Sequence, residues 1–90
     1  MIRVDLEVEN SLGVHMRPAG KIVKLCSSYR SEIFFHRNGM DVNAKSVLGV
    51  LSLAADQGSM IGVSIDGTDE AEAIEALRDL FAGGFGEESA

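Results

Sequence analysis

Ninety residues, 46% of them apolar, make a chain of single-domain size that can bury one core, and this content excludes a disordered segment. The formal charge of −6 excludes the basic stripe with which a nucleic-acid binder displaces counterions. No apolar run approaches the length needed to cross a bilayer and the first residues alternate apolar with charged, so a cytoplasmic location without membrane insertion is expected.

Ile2, Val4, Leu6 and Val8 alternate with charged residues, the period of a strand with one buried face. Glu9 to Val14 reads as a loop, with Gly13 lending backbone freedom just before His15. From Met16 to Ser28 the period changes: Ala19, Ile22, Val23 and Cys26 share one helical face, while Lys21 and Lys24 face water. Pro18, the only proline, suits a first helical turn, because it lacks an amide hydrogen and its φ is close to the helical value. Cys26 has no disulfide partner, and its place on the apolar stripe predicts a buried, unreactive thiol.

Ser31 to Arg37 reads as a second strand with Ile33 and Phe35 inward. Asn38-Gly39 is a type I′ hairpin signal, and the chain returns through Met40, Asp41 and Val42. Ser46 is placed to cap a short helix over Val47 to Leu53, which Gly49 weakens. Ile61, Val63 and Ile65 make a fourth strand that ends at an Asp66-Gly67 turn. Asp69 and Glu72 have capping-box spacing. Ala73, Ile74, Leu77, Leu80 and Phe81 then line one face of a last helix that Gly83 and Gly84 end.

The order β-α-β-β-α-β-α predicts an α+β fold, a two-layer open-faced sandwich with three helices on one face of a four-stranded sheet. One domain is expected over residues 1–84, followed by a frayed acidic tail over 85–90. Phe34, His36 and Met40 are placed on the open face. His36 has no neighbour at metal spacing, so it reads as a surface residue, and no metal site is expected.

The stretch Ser11 to Gly20, SLGVHMRPAG, holds the chemistry. A helix that opens around Met16 leaves amide hydrogens without intrahelical partners beside His15, and these, with the positive end of the helix dipole, suit an anion. Neutral imidazole offers a nucleophilic lone pair. Arg17, read alone, is a solvated cation on the unfavourable end of the dipole, a placement costing about 0.3–1 kcal/mol that an arriving anion would reverse. Ser46, read alone, is a cap.

Gly13-Val14-His15-Met16-Arg17-Pro18-Ala19, with Ser46 further on, resembles the phosphohistidine site of the HPr family, the histidine-containing phosphocarriers of the bacterial sugar phosphotransferase system. Met16 stands where a small residue is usual, and Ala54 where glycine is frequent. The segment from Asn43 to Leu51 resembles that around the family's regulatory serine, and the register matches over nearly the whole chain.

The resemblance implies an antiparallel sheet. It also implies that His15 accepts a phosphoryl group on Nδ1, as pros-phosphohistidine, from phosphorylated enzyme I and passes it to enzyme IIA proteins, with Arg17 stabilising it. Such a protein is a carrier rather than an enzyme and needs no cofactor. Ser46 is implied as a regulatory phosphorylation site wherever the host has an HPr kinase/phosphorylase. Partner docking is implied for Met16, Gly20, Lys24 and Ser27 on the first helix and Val47, Leu48 and Leu51 on the second, with the protein acting as a monomer. The alternative is a regulatory HPr-like protein of nitrogen or carbon control, whose phosphorylation state modulates its partners without feeding sugar transport.

Overall fold

The computed structural model describes residues 1–87. Strands β1 (Ile2–Glu7), β2 (Glu32–Arg37), β3 (Met40–Asn43) and β4 (Met60–Asp66) form one sheet in the order β1-β4-β2-β3, every pairing antiparallel. Between them run α1 (Met16–Ser27), α2 (Val47–Ser52) and α3 (Glu70–Ala82). Val4 pairs with Val63, Val63 with Phe35 and Phe35 with Val42, so one apolar row crosses all the strands on a single face. The helices cover that face, burying Ala19, Ile22 and Cys26 of α1, Val50 of α2, and Ala73, Ile74, Leu77 and Phe81 of α3. The expected open-faced α+β sandwich is therefore the fold that forms. Among the described residues, no helix is long and apolar enough to cross a membrane.

Local chemistry explains most element ends. Asn38 and Gly39 both take positive φ (51° and 78°), as the type I′ turn demands. Ser46 caps α2 by accepting the Gly49 amide hydrogen at 3.2 Å. Gly49 is less a weakness than a contact surface, since a Cβ there would sit 3.3 Å from Cβ of Val42. Its absence lets α2 lie close against β3. Cys26 is buried as expected, and that burial pushes its thiol up to about 12.

Four expectations need correction. Asp69 makes no side-chain cap on α3. Its carboxylate instead reaches the α1–β2 connection, accepting from Arg30 N (2.8 Å), Ser31 N (2.9 Å) and Ser31 Oγ (2.5 Å). The Ser31 hydroxyl and then the Arg30 amide hold that carboxyl down at about 2. Open donors on a neighbouring loop outcompeted the local cap.

His36 is more than a surface residue. Its Nδ1 lies 2.6 Å from Asp41 Oδ1 on β3 and its Nε2 2.5 Å from Ser64 Oγ on β4, so it pins three strands across the open face. Phe34 and His36 do face that way, but Met40 alternates with Asp41 and shares the side of Val42, at the sheet margin.

The tail does not fray at residue 85. Gly84–Gly86 form a 3₁₀ turn whose Phe85 is fully buried, edge-to-face on Phe81 with ring centroids 4.9 Å apart. The strained φ of Phe85 (59°) is offset by burying a large aromatic side chain, worth about 1.5–3 kcal/mol. Lys21 Nζ donates to the Phe85 carbonyl at 2.5 Å and holds the turn from α1. The packed unit thus extends past residue 84, and 88–90 of the expected tail lie outside the described residues.

Candidate functional site

The loop that presents His15 is tied at both ends. Val8 N donates to Ser59 O (2.9 Å), and Val14 N donates to Ala55 O (2.8 Å) in the α2–β4 connection. Gly13 makes this close approach possible. Its φ is +71°, and a Cβ there would fall 2.4 Å from the Ala55 carbonyl oxygen. His15 then takes the N-cap position of α1 in an extended conformation (φ −90°, ψ −165°), with its side chain free of any cap bond. Its carbonyl accepts the first helical bond, from Ala19 N at 3.0 Å.

Pro18 occupies the third helical position and is buried, so the first turn has a preset φ and one donor fewer to satisfy. Among the described residues, the amides of Met16 and Arg17 meet no acceptor. They point out of the helix mouth, where the dipole is positive.

The imidazole stands at this mouth with its side chain 40% exposed. Met16 (64% exposed) and Arg17 lie beside it on the surface. The structure therefore brings His15, Arg17 and the helix start together. A neutral nitrogen nucleophile beside two open amides and a guanidinium can receive a phosphoryl group, whose equatorial oxygens need hydrogen-bond donors and positive charge more than covalent help.

One neighbour was not foreseen. His15 Nε2 lies 2.9 Å from Oε2 and 3.1 Å from Oε1 of Glu87, whose side chain is only 10% exposed. Asn10, fully buried, donates through Nδ2 to Glu87 Oε1 at 2.8 Å and to the Gly13 carbonyl at 2.8 Å. Burial pushes the Glu87 carboxyl up, but the Asn10 amide, the His15 ring and the Arg17 charge together outweigh it and hold the group below the ordinary carboxylate range. The one signal in the sequence was Phe85, a large apolar residue between two glycines in an otherwise acidic stretch, whose burial would stabilise a turn there.

Ser46 lies on the surface at the start of α2, apart from the hydrogen bonds around His15. Gly20, Lys24 and Ser27 are exposed on α1, and Leu48 is 81% exposed on α2, while Val47 and Leu51 are half-buried against the core. Leu12, 74% exposed in the loop before His15, adds apolar surface that sequence reading passed over.

A family model described as PTS HPr component phosphorylation site matches residues 2–83. The phosphocarrier protein HPr of Xylella fastidiosa (strain Temecula1) is 44% identical over 89 residues, 99% of this chain and all of that one. A crystal structure of HPr from Thermoanaerobacter tengcongensis superposes with a TM-score of 0.93 at 43% identity, covering 98% of this chain and 99% of that chain. A structure titled as the HPr dimer of the same organism gives a TM-score of 0.77 at 42% identity, covering 97% and 100%. The match runs through the loop, the histidine and the helix mouth, and on these grounds the chain belongs to the HPr family of phosphotransferase-system phosphocarriers.

Proposed function

We propose that this chain carries a phosphoryl group on His15, accepted from phosphorylated enzyme I and passed to enzyme IIA proteins for sugar uptake. The carrying observation is the half-exposed imidazole at a helix mouth whose Met16 and Arg17 amides meet no acceptor among the described residues. In the forward step the Nδ1 lone pair forms the N–P bond, and the donor nitrogen leaves with the electron pair of the bond that breaks. Arg17 and the two amides neutralise the charge on the phosphoryl oxygens. The reverse partition of the same bond passes the group on, which is carriage rather than catalysis.

The docking surface is the exposed rim of Met16, Gly20, Lys24 and Ser27, continued by Val47, Leu48 and Leu51. Gly20 supports this reading, because a Cβ there would meet nothing within 4 Å. The fold does not demand glycine at that exposed helical site, where it costs about 1 kcal/mol against alanine, whereas a closely approaching partner would. Ser46 sits at the edge of this rim, and a phosphate on it would place about two negative charges beside Leu48. An HPr kinase/phosphorylase could regulate docking in that way. The acting species is a single chain in the cytoplasm.

Incubation with enzyme I and phosphoenolpyruvate should add one acid-labile phosphoryl group, and His15→Ala should abolish it. Label that persists in the variant would overturn the assignment. Restoration of sugar uptake in a strain lacking its own carrier separates transport from a purely regulatory role.

A further inference from the structure

The contact between His15 and Glu87 is built rather than incidental. Phe85, fully buried, anchors the 3₁₀ turn, Lys21 clamps its carbonyl, and Asn10 seizes one carboxylate oxygen. The orientation of Asn10 is unambiguous. Its amide nitrogen faces two oxygen acceptors, and a flipped side chain would set oxygen against oxygen. That arrangement strands Asn10 Oδ1, a buried acceptor with no donor among the described residues. Such a group is normally costly to leave unmet, so the amide is held against a penalty by the acceptors it serves.

An ionised carboxylate can only accept, so the hydrogen in the His15–Glu87 bond resides on Nε2. Among the described residues Nδ1 has no partner. We infer that Asn10 and Glu87 form a positioning pair that holds His15 in the Nε2–H tautomer, directing the phosphoryl group to Nδ1 and steadying the charged ring. This rests on the phosphocarrier reading above and adds residues to it.

The balance is simple. Nδ1 spends its lone pair on phosphorus while the bond to the donor nitrogen breaks toward the donor. The ring keeps its Nε2 hydrogen and becomes cationic, and the Glu87 carboxylate sits against that charge. When the group leaves, the pair returns to Nδ1 and the ring is neutral again, its hydrogen still on Nε2. The carboxylate thus favours the phosphorylated ring without itself changing protonation.

The test uses ¹⁵N spectra of the His15 ring in the full chain, together with phosphorylation rates from enzyme I. Wild type should show one dominant Nε2–H tautomer under alkaline conditions. Glu87→Ala should admit a measurable Nδ1–H fraction and slow phosphorylation about three- to tenfold, the effect expected for losing a charge-assisted bond in a half-exposed site. Glu87→Gln retains an acceptor without the charge, so it should keep the tautomer while losing rate. Asn10→Ala should reproduce the Glu87→Ala spectrum, and the double variant should change it no further. An unchanged tautomer in Glu87→Ala, or an equal or faster rate, would overturn the inference. Failure of wild type to accept phosphoryl at all would instead strike the phosphocarrier reading, while the tautomer measurement stands apart from it.

Discussion

Replacing Phe85 by alanine asks whether the chain beyond α3 is part of the folded unit. The side chain is fully buried and edge-to-face with Phe81, so truncation removes a complete aromatic ring and leaves a cavity. Phe-to-Ala substitutions in cores cost about 3–5 kcal/mol. Here the segment is terminal and can detach when its anchor is lost, so the cost is limited by the free energy of releasing the turn. That places the expected loss at about 2–3 kcal/mol. For a domain of this size, each kcal/mol lowers Tm by about 4–8 °C, so a fall of roughly 10–20 °C follows. Urea unfolding followed by circular dichroism gives the free energy directly, provided that the slope m matches wild type. The variant should also lose the His15 tautomer bias, because Glu87 is then no longer delivered to the ring. A loss below about 1 kcal/mol would refute the packing argument, since it would mean that the ring is not a core group.

Ser46→Asp should leave stability within about 0.5 kcal/mol, because aspartate caps a helix as well as serine. If the proposed docking surface is the one partners use, the added charge should slow phosphorylation of His15 by enzyme I about tenfold or more. An unchanged rate in that assay would count against Ser46 as a control point. Asp69, held at about 2, contributes stability that is present above the ordinary aspartate value and lost as pH falls toward its folded value. Urea midpoints for Asp69→Asn should therefore fall less steeply than wild type between about pH 4 and pH 2, and parallel curves would contradict this. Cys26, with its thiol pushed up to about 12, should resist a thiol-specific reagent at pH 8 until urea unfolds the chain; fast labelling of the native protein would show that the thiol is accessible.

Periodicity made the elements legible. Ile61, Val63 and Ile65 could only face one way from a strand, and Ala73, Ile74 and Leu77 only one way from a helix. The His15 motif was equally plain, because cap, proline and cation act within a few residues of one another. Asp69 misled because capping is a local rule, and the carboxylate found better donors on Arg30 and Ser31, some forty positions upstream. From sequence His36 reads only as a surface residue, because Asp41 and Ser64 become its neighbours only once β2 is paired on both sides.

By itself the sequence determined the elements whose order sets the fold class, the helix mouth and the histidine placed there, since each element and the mouth follow from spacings shorter than two helical turns. Only the tertiary structure decided that Glu87 meets His15, across seventy-two positions, with Asn10 holding it from below. Local pattern cannot report such a contact. It exists because Phe85 gains more by entering the core than its turn loses in strain, and the charge that follows Phe85 along the chain is carried to the ring.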